Sequence, residues 1–299
     1  MAELELSVTI CSWNTKDDLY KCLKSLEEIR SEARFEVIVV DNNSADGSPA
    51  VVRENFPWVR LYVMNRNYGF TGGQNWALAH RKAPNALLLN SDTVVHRGAL
   101  RKILDFSYAN PDVGIVGPKL LNPDGSLQPS CRRFPNPIAA LFRNTPIGKL
   151  FPNNRYAREY LMLDIAHDKP MDVDWVSGAA QFGSEALINK IGLLDDKYFM
   201  FCEDIDWCWR CHEAGFRVTY LPDSVITLAV GKSTDKAPNR MIGGHHRSMY
   251  RFYAKNIVPT MAPWKRPYAL AFAFCALGAR AGIFIVKNKI DKIVRRLKG

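Results

Sequence analysis

Several patterns are missing from this chain, and each absence removes a class. No G-x-G-x-x-G follows the first strand-like run; "CSWNTKDDL" stands there instead, so the glycine fingerprint of a dinucleotide-dependent dehydrogenase is lacking. The seven cysteines are odd in number and scattered, which gives no disulfide framework and suits a reduced, cytosolic chain. Cys208 and Cys211 form a C-x-x-C in "DWCWRCHEAG", but no second Cys/His pair stands at zinc spacing and the stretch reads as helix. Helix-turn-helix and zinc-finger patterns are absent, and basic residues are not interleaved with stacking aromatics, so no nucleic-acid partner is expected. "MAELELSVTI" has neither a basic start nor a long apolar core, so no secretory leader is read there. Internal repeats and low-complexity tracts are also absent.

What is present is a globular composition: 299 residues, 47% hydrophobic and 23% charged, enough for one large domain or two modest ones. The net charge of +10 is uneven. From Ala262 onward nine Lys/Arg face one Asp. Within that tail Tyr268 to Val286 is apolar, broken by Arg280 and flanked by basic residues. The run is short for a spanning helix and a mid-segment Arg is costly in lipid. An interfacial helix gripping an anionic leaflet fits better; a buried C-terminal helix, or one that mediates homodimerisation, is the competing reading.

The first part alternates strand and helix signals. "LSVTICSW", "FEVIVV", "VRLYVM", "NALLLN" and "VGIVGPKL" read as strands. "KDDLYKCLKSLEEIR", "SPAVVRENF", "TGGQNWALAHRK" and "GALRKILDFSYAN" between them read as helices. This alternation means an α/β fold, a parallel sheet with helices on both faces, in which ligands sit outside the carboxyl ends of the strands. Four strands end in polar turn formers: Ser12 to Asn14, Asp41 to Asn43, Asn65 to Gly73, and Asn90-Ser91-Asp92, where the apolar run "ALLL" stops abruptly. One such end is an ordinary turn; four along one sheet edge indicate a site.

Residues 118 to 170 are rich in Pro, Asn and Arg and read as irregular, hairpin-containing structure with a mobile lid. "DVDWVSGAAQFGSEALINKIG" gives a strand and a helix, "FRVTYLP" a strand, and "GGHHRSMYRFYAKN" a basic amphipathic helix. "FCEDIDWCWRCHEAG" opens a helix with Glu203, Asp204 and Asp206. Acids there compensate the helix dipole, and Asp206 and Arg210 stand at i,i+4.

The segments "TICSWN", "VVDNNSADGS", "NRNYGFTGGQN", "LLLNSD", "VGPKLLNPDGSLQPS", "VSGAAQFGSEAL" and "YFMFCEDIDWCWRCHEAGFRVTYLPDSVI", in this order, resemble family 2 glycosyltransferases of the GT-A fold, especially the bacterial rhamnosyltransferase-like branch. The resemblance covers roughly residues 5 to 255. It implies a GT-A domain over 1–255, with a nucleotide-sugar half to about 117 and an acceptor half from about 118, and a membrane-associating helical segment over 256–299. It implies that Asp41 holds the nucleotide base near Ser12 and Asn14, with Asn43, Asn67 and Gly69 beside the nucleotide. "NSD" takes the place of the family's D-x-D, so that Asp92, with Asn90 and Ser91, faces a divalent cation (Mg2+ or Mn2+) on the diphosphate. Asp204 would be the general base, Glu203 would flank it, and Trp207 and Arg210 would support the site.

Two departures stand out. The first Asp of D-x-D is Asn90. Where the family shows a histidine in H-x-G-x-S, completing the metal site, this chain reads "TLAVGKS", with Ala229 at that place; His245 or His246 is the candidate replacement on the diphosphate or metal. The resemblance implies an inverting transferase using dTDP-L-rhamnose, or another UDP- or GDP-sugar. Its acceptor would be a lipid-linked or cell-surface glycan, carried on a polyprenyl pyrophosphate. The place would be the cytoplasm, peripheral to the inner face of a bacterial plasma membrane. Asn90 and Ala229 motivate the alternative, a nucleotide-binding protein of this fold with weak or lost catalysis.

Overall fold

The computed structural model describes residues 3–135, 154–229 and 238–298. The expected alternation is realised as β1 Leu6–Ser12, α1 Lys16–Glu28, β2 Phe35–Asp41, α2 Ser48–Asn55, β3 Arg60–Val63, α3 Gly69–Ala79, β4 Asn85–Asn90, β5 Thr93–Val95, α4 Ala99–Ala109 and β6 Val113–Leu121. These strands are near-continuous apolar runs because both faces are covered. Val37 and Val39 of β2 enter the main core with Val8, Ile10, Leu87 and Leu89, while Ile38 and Val40 turn to the other face, under Ala77 of α3. Helix α1 buries Leu19, Cys22, Leu23 and Leu26, the i, i+3, i+4, i+7 spacing of one helical face.

Parallel register makes the strand ends flush. Along β1 and β2 it runs from Leu6 opposite Phe35 to Ser12 opposite Asp41; along β1 and β4 it ends with Cys11 opposite Asn90. Three polar strand ends therefore lie side by side at one edge.

The second part departs from simple alternation. β7 Leu127–Gln128 closes a hairpin onto β6 through the turn at Gly125, whose φ of 82° suits glycine. β8 Cys131–Arg132 pairs with β10 Trp175–Val176 as a small separate sheet. Short helix α5 spans Arg155–Tyr160, and β9 Met171–Asp172 pairs with β12 Arg217–Leu228. Of the segment 118–170 expected to hold a lid, residues 136–153 lie outside the described residues. The sheet order is β3-β2-β1-β4-β11-β6-β12-β5, and it is mixed rather than purely parallel. β11 Ala180–Gly183 runs antiparallel to both β4 and β6, and β5 runs antiparallel to β12. Alternation predicts a crossover between parallel neighbours; β11 arrives instead from the β10 segment with no helix between them, so it enters from the opposite end. All four of its residues are buried. Gly183 is required there: a Cβ would stand 2.3 Å from the Trp207 ring.

Helix α6 Glu185–Ile191 leads to α7 Glu203–Glu213, and β12 to α8 Pro238–Phe252. A π-turn over Tyr253–Ile257 ends α8, and α9 spans Arg266–Lys298. The π-turn brings two consecutive residues onto one buried carboxylate. Asp206 of α7 is fully buried. It accepts from Lys255 Nζ at 2.7 Å and Asn256 Nδ2 at 2.9 Å, and from Arg210 Nε at 3.0 Å, so the expected i,i+4 pair forms. Lys255 also reaches Asp195 at 2.8 Å, which Arg251 meets at 3.0 Å.

α9 packs on α8 through His246–Phe284 and Tyr250–Phe274 ring contacts and an Asn288–Asn239 amide bond of 2.6 Å. Arg280 stacks on Phe284, on this packed side. The opposite stripe, Tyr268, Phe272, Ile283, Val286 and Ile290, is more than half exposed throughout and falls within roughly 60° of the helical wheel. The stretch Pro263–Ile290 has the length and composition to cross a membrane, its most apolar 18 residues having a mean hydropathy of 2.1.

Removing the buried carboxylate takes the acceptor from four donors, Tyr198, Arg210, Lys255 and Asn256. Asp206→Ala is expected to lower unfolding free energy by about 3 kcal/mol in urea titration. Asp105→Ala, which removes only the exposed partner of Arg101, should leave the midpoint close to wild type.

Candidate active site

The flush strand ends form the floor of an open cleft, lined by Asn90, Ser91 and Asp92 of the β4 turn, Asn67 and Gly69 of the β3–α3 loop, and Cys11 of β1. The floor is knitted by hydroxyls. Ser12 Oγ and Thr15 Oγ1 are 2.9 Å apart, and Thr15 Oγ1 is 2.9 Å from Ser91 Oγ. Asn14, in the left-handed region at φ 54°, clamps two loops: its backbone N–H donates to Ser44 Oγ at 2.8 Å and its Oδ1 accepts from Ala45 N at 2.8 Å.

Asp41 is 1% exposed. Its Oδ2 accepts from Ser44 N at 2.8 Å, while its Oδ1 is buried without a hydrogen-bond partner. Such a group costs about 1–3 kcal/mol, and an N–H from a ligand would offset it. The neighbouring Asn42 anchors the third loop. It donates to the Gly69 carbonyl at 2.8 Å and accepts from Tyr68 N at 3.3 Å. Asn43 is the exposed turn residue, at φ 63°. Asn67 Oδ1 accepts from Gly69 N at 2.8 Å. Gly69 stands at φ 81°, and a Cβ there would lie 2.2 Å from the Phe199 carbonyl oxygen, so only glycine lets this loop pass beneath the 199–200 segment.

Glu203 and Asp204 enter from α7. The two residues before them, Phe201 (φ 71°) and Cys202 (φ 64°), are both left-handed without being glycine. That is stored backbone strain, and it persists where the surroundings over-determine it. Ser248 of α8, donating to the Met200 carbonyl at 2.8 Å, and the Asp206 cluster do so here. Asp204 Oδ2 accepts from Gly178 N at 2.9 Å and its Oδ1 from Ile205 N at 2.9 Å. Burial raises its pKa, outweighing those two N–H groups and the charge of Arg132. Glu203 is 6% exposed with Oε2 unpartnered; burial first, then Asp204, holds it well above the ordinary 4.5. A helix N-terminus favours a carboxylate by at most about 2 kcal/mol, against several kcal/mol for burying an unpaired charge, so Glu203 is the protonated member of the pair. Cys11 is likewise pushed up to about 12, by burial first and then by the charge of Asp41.

Among the described residues, no group of three or more His, Cys, Asp or Glu converges to hold a metal ion. Ala229 N donates to the Asp92 carbonyl at 2.9 Å, so residue 229 stands beside Asp92 and contributes a methyl. One carboxylate with Asn90 and Ser91 oxygens nearby suits a hard cation that takes most ligands from a bound diphosphate and water, not a cation caged by protein alone.

The structure thus brings Ser12, Asn14, Asp41, Asn67, Gly69, Asn90, Ser91 and Asp92 to one edge. It does not bring three others. Arg210 turns inward, to Asp206 and to the Ile191 and Leu193 carbonyls at 2.8 Å each. His246 is buried against α9, its Nδ1 donating to the Ile242 carbonyl at 2.8 Å, and burial lowers its pKa. His245 packs edge-on against Phe201. α8 meets the cleft one turn earlier, through Arg240 and Met241.

The sequence profile described as "Glycosyltransferase like family 2" matches residues 4–250. The chain belongs to the family 2 glycosyltransferases. Over 260 residues it is 28% identical to N-acetylglucosaminyl-diphospho-decaprenol L-rhamnosyltransferase of Mycobacterium tuberculosis (strain ATCC 25618 / H37Rv), covering 83% of this chain and 84% of that protein. Mannosyltransferase PcManGT from Pyrobaculum calidifontis, determined with GDP-Man and Mn2+, superposes with TM-score 0.57 at 18% identity over 98% of this chain and 81% of its own. S. aureus TarS 1-349 in complex with UDP gives 0.54 at 16% over 93% and 82%. The fold is GT-A.

Glu203 has a pH signature. A carboxyl whose folded pKa is raised contributes stability below its unfolded value that is lost as pH rises through the folded pKa. Glu203→Gln should therefore gain stability over wild type progressively as pH rises above 4.5 and no further gain should appear below it. Urea midpoints from pH 4 to 8 that stay parallel would show that Glu203 is not buried as a neutral acid.

Proposed function

We propose that this transferase is an inverting enzyme. It moves a sugar, L-rhamnose from dTDP-L-rhamnose as the first choice, to a hydroxyl of a lipid-linked or cell-surface glycan. The observation that carries the reading is Asp204: a carboxylate aimed by two backbone N–H groups, with its pKa raised, at the start of the helix that follows the cleft-lining residues Phe199 and Met200. A raised pKa makes a stronger base. The acceptor hydroxyl gives its proton to Asp204 as its oxygen bonds to the anomeric carbon. The bond from that carbon to the diphosphate oxygen breaks on the opposite face, and the configuration inverts. Asp41 takes the N–H of the base through Oδ1, and Asn67 and the Gly69 turn line the nucleoside. Asp92, with Asn90 and Ser91, would hold the cation, which supplies charge neutralisation to the departing diphosphate.

The relative's printed name includes a diphospho-decaprenol-linked substrate. A lipid-linked acceptor suits the outward apolar stripe and basic flanks of α9, which dock the enzyme on an anionic membrane face. Ala229 favours a second reading, nucleotide binding with weak catalysis.

Three measurements bear on this. Asp204→Asn should cut sugar transfer by about a hundredfold or more while dTDP still raises the melting temperature; full turnover would remove Asp204 as base. Among dTDP, UDP and GDP, the stabilising nucleotide should need Mg2+ or Mn2+, and Ala229→His should lower the metal concentration required, since residue 229 adjoins Asp92. The full chain should co-sediment with anionic vesicles, and truncation after Pro263 should abolish this; unchanged co-sedimentation would count against α9.

A further inference from the structure

Among the described residues that line the cleft, Asp92 is the one carboxylate and Arg240 the one basic side chain. The donor reading uses the first and leaves the second without a role. A nucleoside diphosphate is a polyanion, and a cleft floor whose fixed charge is a carboxylate repels it unless positive charge intervenes. The cation assigned to Asp92 is one source. At the end of β12, where the family shows its histidine, Ala229 stands instead, its N–H 2.9 Å from the Asp92 carbonyl, and its side chain gives the diphosphate nothing to bind.

The sequence points to His245 or His246 of α8 as the replacement, and the structure turns both elsewhere. His245 packs edge-on against Phe201, and His246 is buried with its Nδ1 on the Ile242 carbonyl. The same helix meets the cleft through its first turn, at Arg240 and Met241. The Arg240 guanidinium lies over the Phe199 ring, 5.7 Å from its centroid, and the Phe199 backbone crosses the Gly69 turn. Arg240 is exposed, and no carboxylate among the described residues forms an ion pair with it. Its charge is therefore open to an incoming anion. Stacking on Phe199 restrains the guanidinium before that anion arrives, so less freedom is lost on contact.

We propose that Arg240 is a diphosphate-binding residue, its guanidinium gripping the donor's phosphate oxygens from the mouth of the cleft while Asp92 and its cation hold them from the floor. The inference rests on the donor reading above. A guanidinium is planar and permanently charged, and its fork of N–H groups matches phosphate oxygens two at a time. The ligand class is a nucleoside diphosphate, with or without its sugar. When the bond from the sugar to the diphosphate oxygen breaks, its electron pair stays on that oxygen, so the charge facing Arg240 grows during the reaction and the contact strengthens with it. The base and the sugar are uncharged, and a contact to either would leave binding insensitive to the charge at residue 240.

The test is calorimetric, on the full chain with Mg2+, with dTDP as the probe, or UDP or GDP where that is the nucleotide the wild type binds. Arg240→Gln should weaken the nucleotide about tenfold, Arg240→Lys should weaken it less, and Arg240→Glu more. Wild-type affinity should fall as KCl is raised, and the fall should be shallower in Arg240→Gln. Because Arg240 is exposed, each variant should keep a ligand-free melting temperature close to that of wild type. Unchanged affinity in Arg240→Gln would overturn the assignment. So would an equal loss in the lysine, glutamine and glutamate variants with the wild-type salt dependence, the pattern of a side chain that only packs on Phe199. Should Arg240→Gln fold poorly, the ratio between the lysine and glutamate variants decides. A wild-type chain that binds none of the three nucleotides overturns the donor reading itself, and this assignment with it.

Discussion

The parallel register of β1, β2 and β4 is the constraint on which the site depends. Parallel strands buried on both faces favour apolar side chains along their length and polar ones where they end; within β1 the exceptions, Ser7 and Thr9, are hydrogen-bonded to Glu36 and Gln74. Because Ser12 pairs with Asp41 and Cys11 with Asn90, three endings fall on one line. The abrupt stop after "ALLL" has this origin: Asn90 leaves the apolar interior level with Cys11, one residue short of the Ser12–Asp41 pair, and Ser91 and Asp92 continue into the cleft. A slip of one residue in either pairing would carry Asp41 or Asn90 out of line and turn their neighbours to the wrong face.

A second, buried system sets the opposite wall. Asp206 gathers Arg210 from its own helix and Lys255 and Asn256 from the π-turn. Buried ion clusters of this kind are weak sources of stability relative to apolar packing; what this one does is fix geometry. It stands three residues after Glu203, where the chain has just passed through two left-handed residues. The strain of that turn is held by contacts that come from the C-terminal third of the chain, so the acid pair depends on elements far away in sequence.

Much of this was legible from residue types alone. The strand endings, the acidic start of α7 and the Asp206–Arg210 pair all carry local signals: polarity at the end of an apolar run, and i,i+4 spacing. The choice between Asn42 and Asn43 was not legible, because a turn sequence does not say which of two asparagines takes the left-handed conformation and points outward. Thr15 hid in a loop with no motif of its own, although its hydroxyl joins Ser12 to Ser91. Arg210 read as a site residue through the family resemblance, but its i,i+4 spacing aims it at Asp206, and it also meets two carbonyls. The antiparallel entry of β11 and the arrival of Phe199, Arg240 and Met241 at the cleft mouth are long-range events. No local period encodes them.

The pairing of α8 with α9 has a mechanical consequence. α9 has 33 residues, a rod about 50 Å long, and ring contacts and an amide bond hold it against α8. The first turn of α8 is itself part of the cleft mouth. The outward stripe and the mouth are thus two ends of one lever. Any surface that takes up Tyr268, Phe272 and Ile283 also sets the heading of the opening, in the way a keel sets the heading of a hull, and Arg280, stacked on Phe284 on the packed side, marks which edge of the rod stays inboard.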